Sequence, residues 1–237
     1  MAHRKYYLKD GTVVPSVTTI IGNNLGWNKN ILMAWTKKIA LTQGRDSDEI
    51  VEEAADIGTF THALVENRIK TKMGIKDELP DISSLSKEFL KKAKNGYMAF
   101  CDWEAKWKPD RYVFSELPLV SERHKYAGTI DIIAEKNDKL YIIDIKTSNH
   151  LHPEMVVQLM AYKELFHECV SNDHRPDNPF DNRYIEGCSI VKLSKDEPVY
   201  NMVPVPKEQW AAGWQIFFSC RSLHDKHKIV QLFGKNI

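Results

Sequence analysis

Two short stretches carry side chains whose types and spacing suit metal-assisted hydrolysis. Gly128-Thr-Ile-Asp131 and Asp144-Ile-Lys146 place two carboxylates and an ammonium group on either side of Asn137-Asp138. An Asn-Asp step between apolar runs signals a tight hairpin turn. With those residues at the tip, Lys136 pairs with Lys139, and counting outward sets Asp131 directly opposite Asp144. By the two-residue period of a strand, Leu140, Ile142, Asp144, Lys146 and Ser148 share one face, so the lysine stands beside the acids. Like charges opposed on a sheet repel by roughly 0.2–1 kcal/mol, and by more as the surroundings become drier, so something must compensate. Hard divalent cations prefer oxygen ligands, which makes the pair a candidate metal site. The competing reading is two solvated strand-end acids partly neutralised by Lys146.

Those residues need elements to hold them. The pattern predicts three strands over 111–120, 126–135 and 139–147, joined as a meander. Before it, residues 5–17 alternate around Asp10-Gly11 as a two-residue hairpin. A helix is expected over 28–42, with Ile31, Leu32, Trp35 and Ile39 on its apolar face and Gly44 as its stop. Residues 46–56 hold six acids and no base, which suits the first turns of a helix capped by Asp46 or Ser47 and running to about Lys72. Another helix is expected from Leu85 to about Trp107, then one over 153–169, a polar loop over 172–182, strands near 184–193 and 198–203, and a last helix from about Lys207 to Leu223. On that second-to-last helix Gln158 and Tyr162 lie four residues apart and share a face, as do His62 and Glu66 on the acid-capped one.

Order and spacing of these stretches carry a resemblance. Gly128-Thr-Ile-Asp131, Asp144-Ile-Lys146-Thr and Gln158-Leu-Met-Ala-Tyr162 resemble the GxxD, (D/E)xK and QxxxY motifs of PD-(D/E)XK nucleases. Gly58-Thr59-Phe-Thr-His62 is similar to the GT..H motif of the RecB-like exonuclease branch, and Ser16-Val-Thr-Thr-Ile20 to a segment of phage and Cas4-like members. The resemblance spans about residues 16–165. It implies an α/β, restriction-endonuclease-like fold with a central mixed sheet flanked by helices. Residues 1–237 then form one nuclease domain, residues 1–110 being mainly helical and 111–237 carrying the core sheet and C-terminal helix. It implies that Asp131 and Asp144 bind a catalytic Mg²⁺ or Mn²⁺ with the Ile145 backbone carbonyl and His62, and that Lys146 acts beside them. Thr59 and Glu66 would support the ligands from behind, and Gln158 and Tyr162 would position nucleic acid. Glu116, two residues before Pro118, sits where such sequences often carry an acid, and from there it would reach a second metal. The activity implied is cleavage of DNA from ends or single strands in phage or bacterial recombination, replication or repair, alone or beside a protein partner. A structure-specific or nicking endonuclease and a catalytically silent DNA-binding scaffold are the alternatives.

Composition bounds the rest. The 237 residues are 43% hydrophobic and 27% charged, the profile of a globular chain. A formal charge of +1 gives no global argument for nucleic-acid binding. Charge is segregated instead: residues 1–45 carry seven basic side chains, Lys37 and Lys38 among them, against the single Asp10. Lys37, Lys38, Arg221, Lys226 and Lys228 are candidate phosphate contacts, and Trp27, Trp35, Trp103 and Trp107 candidate base-stacking residues. No apolar stretch reaches the roughly 18–20 residues of a membrane span, and the N-terminus lacks a secretory apolar segment, so a cytoplasmic address and no membrane contact are expected. Cys101, Cys169, Cys188 and Cys220 are dispersed, so no iron–sulfur cluster is expected.

Overall fold

The computed structural model of the protein describes residues 4–230 except 28, 44–45, 80, 83–84, 172–176 and 181. A small hairpin, β1 (Tyr6–Tyr7) and β2 (Val13–Val14), precedes four helices: α1 (Val17–Asn24), α2 (Lys29–Gln43), α3 (Ser47–Lys72) and α4 (Lys87–Trp107). Strands β3 (Arg111–Ser121), β4 (Tyr126–Lys136) and β5 (Lys139–Lys146) follow as an antiparallel meander. Helix α5 (Glu154–Phe166) then crosses over to β6 (Ile185–Leu193), which pairs parallel to β5. Strand β7 (Tyr200–Pro204) adds antiparallel to β6, and α6 (Trp210–Val230) ends the described chain. The sheet order is β3-β4-β5-β6-β7, the mixed five-stranded α/β arrangement expected.

Local chemistry explains the boundaries. Asp46 caps α3 by accepting from the Asp48 amide, Ser86 caps α4 by accepting from Phe89, and Lys108 closes α4 in the left-handed conformation at φ 53°. Asn137 and Asp138 both have positive φ, as a two-residue type I′ turn requires, and Lys136 faces Lys139 across it. The first hairpin departs from expectation. The Leu8 amide donates to the Thr12 carbonyl and Gly11 has φ 85°, so the loop is three residues long, a turn relaxed by a left-handed glycine. Val17–Asn24 is a helix that the sequence pattern did not separate. The expected apolar side chains of α2 (Ile31, Leu32, Trp35, Ile39), its stop at Gly44 and most of the 172–182 loop lie outside the described residues.

Both faces of the sheet are covered, which is why the middle strands read as near-continuous apolar runs. On one face Leu140, Ile142, Ile190 and Ile133 pack with Leu159, Leu165 and Phe217 of α5 and α6. On the other, Ile132, Ile143, Ile145 and Val191 pack with Val65, Ile69, Phe100 and Trp103 of α3 and α4. Trp103 is fully buried and stacked on Trp107, so its indole is core and open to no base. Among the described residues, no helix is long and apolar enough to cross a membrane.

Candidate metal centre and active-site cleft

The site forms where the regular ladder fails. Pairs Leu117↔Ile130 and Ser115↔Ile132 flank Glu116 and Asp131, which are not themselves paired, and Glu116 sits at φ 50°. A non-glycine residue held there stores strain, of order 1–3 kcal/mol, that the surrounding strands must impose. On the other side of β4 the ladder ends at Ile132↔Ile143, one step short of the expected Asp131–Asp144 pair. The Asp131 carboxylate takes over there, its Oδ2 accepting the Ile145 amide at 2.8 Å. The acids are thus neighbours across a break rather than partners within a ladder.

Helix α3 closes over this break. His62 Nδ1 lies 3.9 Å from Asp131 Oδ2 and 3.9 Å from Glu116 Oε1. One ligand atom from each of these three residues lies within 4.8 Å of the others. Two donors bound to one ion at about 2.1 Å lie at most about 4.2 Å apart, so the His62 contacts are already at that spacing. Asp144 is outside this trio, deeper in the sheet and 1% exposed. Among the described residues its Oδ1 has no hydrogen-bond partner, and its Oδ2 has the Lys146 ammonium group beside it. Lys146 Nζ is 2.6 Å from Asp144 Oδ2, a charged donor against one of the two oxygens. A buried carboxylate oxygen without a donor is costly, and a divalent cation is one group that would satisfy it. The residues present therefore fit a hard divalent ion, and the imidazole makes Mn²⁺ as suitable as Mg²⁺.

Electrostatics point the same way. Burial pushes the Asp144 carboxyl up to about 6, against the pull of Lys146 and with a further push from Asp131. Burial also raises Asp131, aided by Glu116 and opposed by His62 and Lys146. Burial favours neutral His62, but Asp131 and Glu116 outweigh it and hold the imidazole above its ordinary value. Lys146 is likewise disfavoured by burial yet raised by Asp144 and Asp131, so it stays an ammonium ion. Three acids around one lysine leave an excess of negative charge in a partly dry place, which additional positive charge would relieve.

The cleft above these groups encloses about 550 Å³ and is lined by Thr59, His62 and Glu66 from α3, Glu116 and Asp131 from the sheet, and Lys146. Its shape depends on two glycines. A Cβ on Gly58 would stand 2.7 Å from Thr147 Oγ1, and one on Gly128 would stand 2.6 Å from the Tyr162 ring. Gly58 lets α3 approach the end of β5, and Gly128 lets Tyr162 lie flat against β4. Glu66 reaches the cleft wall while paired with Lys70 at 2.6 Å.

The remaining expected residues are placed differently. Gln158 Nε2 donates to the Tyr162 hydroxyl at 2.8 Å, and Tyr162 is 5% exposed. Burial, with Asp144 and Asp131 nearby, raises that phenol well above its ordinary value, so it stays neutral behind the acids. Direct contact between Tyr162 and a nucleic acid is not available at that exposure; Gln158, half-buried, is the outer member of the pair. Lys37 and Lys38 are exposed on α2, which packs against α3. Arg221 is spent inside the fold, its Nε donating to the His124 and Lys125 carbonyls. Trp27 is exposed. Glu116, expected at a second metal, stands in one group with His62 and Asp131.

Residues 36–226 of the sequence match the PD-(D/E)XK nuclease superfamily. Among solved structures, a candidate exonuclease from Eubacterium rectale aligns with a TM-score of 0.42 and 10% identity, over 69% of this chain and 64% of that one. This chain thus spans a little under two thirds of that protein. The protein SSO0001 aligns with a TM-score of 0.33 and 13% identity, over 69% of this chain and 71% of that one. No curated protein matches the sequence.

Proposed function

Because the chain belongs to the PD-(D/E)XK nuclease superfamily, we propose that it is a metal-dependent deoxyribonuclease, a single domain that hydrolyses phosphodiester bonds from DNA ends or single strands. The observation that carries this reading is the meeting of His62, Glu116 and Asp131 beside a buried Asp144 paired with Lys146. His62, Asp131, Asp144 and the Ile145 carbonyl would hold Mg²⁺ or Mn²⁺, with Glu116 close enough to share it. When bound, such an ion activates water and neutralises charge on the phosphate.

The chain's own groups do the rest. Asp144 and Asp131 hold Lys146 in its charged form at the cleft wall. From there its ammonium group orients the attacking water and meets the negative charge that grows on the non-bridging oxygens as phosphorus becomes five-coordinate. The Ile145 amide fixes Asp131 before substrate arrives, so little reorganisation is needed at the moment of reaction. Tyr162, held by Gln158, is buried close to Asp144 and Asp131 and helps shield them from water.

Linear DNA labelled at its 5′ or 3′ end, and covalently closed circles, incubated with Mg²⁺ or Mn²⁺, test this reading. Progressive loss of the linear substrate with the closed circles intact is expected. Cutting of the circles would replace the exonuclease with an endonuclease, and binding of both without cleavage would leave a scaffold.

A further inference from the structure

We propose that the N-terminal hairpin is the second wall of the substrate groove, and that Arg4, braced by Tyr6, holds a backbone phosphate of the bound nucleic-acid strand there. This rests on the nuclease reading for its ligand class. The geometry that points to it lies outside the metal centre.

The hairpin is fixed to the sheet. The Ala127 amide donates to the Pro15 carbonyl at 3.0 Å, Ser16 bridges Ala127 in parallel, and Leu8 and Val14 bury against Ala127 and Val120. Its Tyr6 hydroxyl lies 2.8 Å from Thr129 Oγ1. Thr129 is two residues before Asp131 on β4, about 7 Å along the strand. The residues that flank Thr129 point the other way: a Cβ on Gly128 would meet Tyr162, and Ile130 is buried with α1 and α5. Thr129, and Tyr6 upon it, therefore lie on the side of β4 from which His62 approaches Asp131.

Arg4 is exposed, and its guanidinium carbon is 5.9 Å from the centre of the Tyr6 ring. Among the described residues its partner is that ring, not a carboxylate. The proposed groove extends the cleft lined by His62, Glu116 and Asp131 towards Tyr6 and Arg4, with α3 along one side and the hairpin along the other. A polyanion laid over a floor of acids needs fixed positive charge at the walls. A planar guanidinium held over an aromatic face suits this, since it offers two parallel N–H donors to one phosphate with little freedom left to lose. The Tyr6–Thr129 bond ties that wall to the strand that carries Asp131.

The test is equilibrium binding of a fluorescein-labelled single-stranded oligonucleotide, read by anisotropy from 50 to 200 mM salt. It is run in the Asp144→Ala background so that turnover does not consume the probe. Adding Arg4→Ala is expected to weaken binding about 5–10-fold at low salt and to lower the slope of log affinity against log salt by about 0.7, the value for one phosphate contact on a single strand. Arg4→Lys should recover part of the affinity and all of the slope. Tyr6→Phe, which keeps the ring and loses the Thr129 bond, should weaken binding about 2–3-fold. Lys106→Ala, which removes an equal charge on α4 where Lys106 pairs with Asp102 at 2.7 Å, serves as the comparison and should change neither quantity. An unchanged affinity and slope in Arg4→Ala, or an equal change in Lys106→Ala, would overturn the proposal. Failure of the unsubstituted protein to cleave DNA would sink the nuclease reading while leaving this comparison decisive on its own terms.

Discussion

Asp144→Ala is expected to reduce DNA cleavage by about 10³-fold or more while the protein remains folded. The side chain is 1% exposed and stands 2.6 Å from Lys146, so its removal would take away both a proposed metal ligand and the group that holds the lysine charged in place. Its stability effect should run the other way from most buried substitutions. An ordinary aspartate titrates near 3.8, and burial pushes this one up to about 6. The folded protein therefore binds that proton more tightly than the unfolded chain does. In the absence of divalent ions, ionised Asp144 lowers stability progressively as pH rises from about 4 to about 6, and by a constant amount above that. Asp144→Asn, which keeps the shape, should then melt at or above the unsubstituted protein's temperature at pH 8 without metal, yet be inactive with it. Unchanged cleavage in either variant would remove Asp144 from the site, and a large fall in melting temperature in Asp144→Asn would show that the carboxylate is structural.

The second large effect concerns a buried acid with the opposite balance. Glu104 is 4% exposed in α4, with Arg68 Nε and NH2 at 2.9 and 2.7 Å, Lys72 Nζ at 2.8 Å and the Tyr112 hydroxyl at 2.6 Å. Burial alone would raise its pKa, but Lys72, Tyr112 and Arg68 together outweigh burial and lower it. Its contribution is therefore present above the ordinary glutamate range and is lost as pH falls through the depressed value. The cluster ties the second half of α3 to α4 and the start of β3, and so holds the frame from which His62 projects. Glu104→Ala leaves Arg68 without its partner and the Tyr112 hydroxyl buried without an acceptor. A loss of about 3–5 kcal/mol is expected, read by denaturant unfolding at pH 7, and the gap to the unsubstituted protein should narrow at pH 3. A loss below about 1 kcal/mol would show that the network is surface-like in energy.

Much of this arrangement is legible in the sequence because it is built from local rules. Asn137-Asp138 specifies the turn, the turn specifies Lys136 opposite Lys139, and the alternation of apolar residues specifies which face each strand buries. Asp46 and Ser86 mark helix starts for the same reason, a side chain that caps the first amides. Order and spacing of the Gly58–His62, Gly128–Asp131, Asp144–Lys146 and Gln158–Tyr162 stretches also bring to one place residues that the chain keeps far apart.

What escaped the sequence is non-local or irregular. Strict alternation puts Asp131 and Asp144 face to face within a ladder, but the ladder stops at Ile132↔Ile143 and the Asp131 carboxylate turns to the Ile145 amide. The positive φ at Glu116 is imposed by neighbouring strands and leaves no mark in a residue type that rarely adopts it. Glu104 looks like any polar residue of an amphipathic helix until α3 and β3 bring Arg68, Lys72 and Tyr112 around it. Tyr162 reads as a polar tip on an apolar helix, and only the missing side chain of Gly128 shows how deeply it inserts.

Cleavage is expected to depend on a divalent ion held where His62, Glu116 and Asp131 meet, with Asp144 deeper in the sheet. Its most direct measurement is degradation of end-labelled linear DNA with Mg²⁺ or Mn²⁺, with excess chelator, and by Asp131→Asn. Degradation by the unsubstituted protein with either metal, none with chelator and none by the variant is the predicted result. Degradation that persists in chelator, or that Asp131→Asn leaves intact, would contradict it.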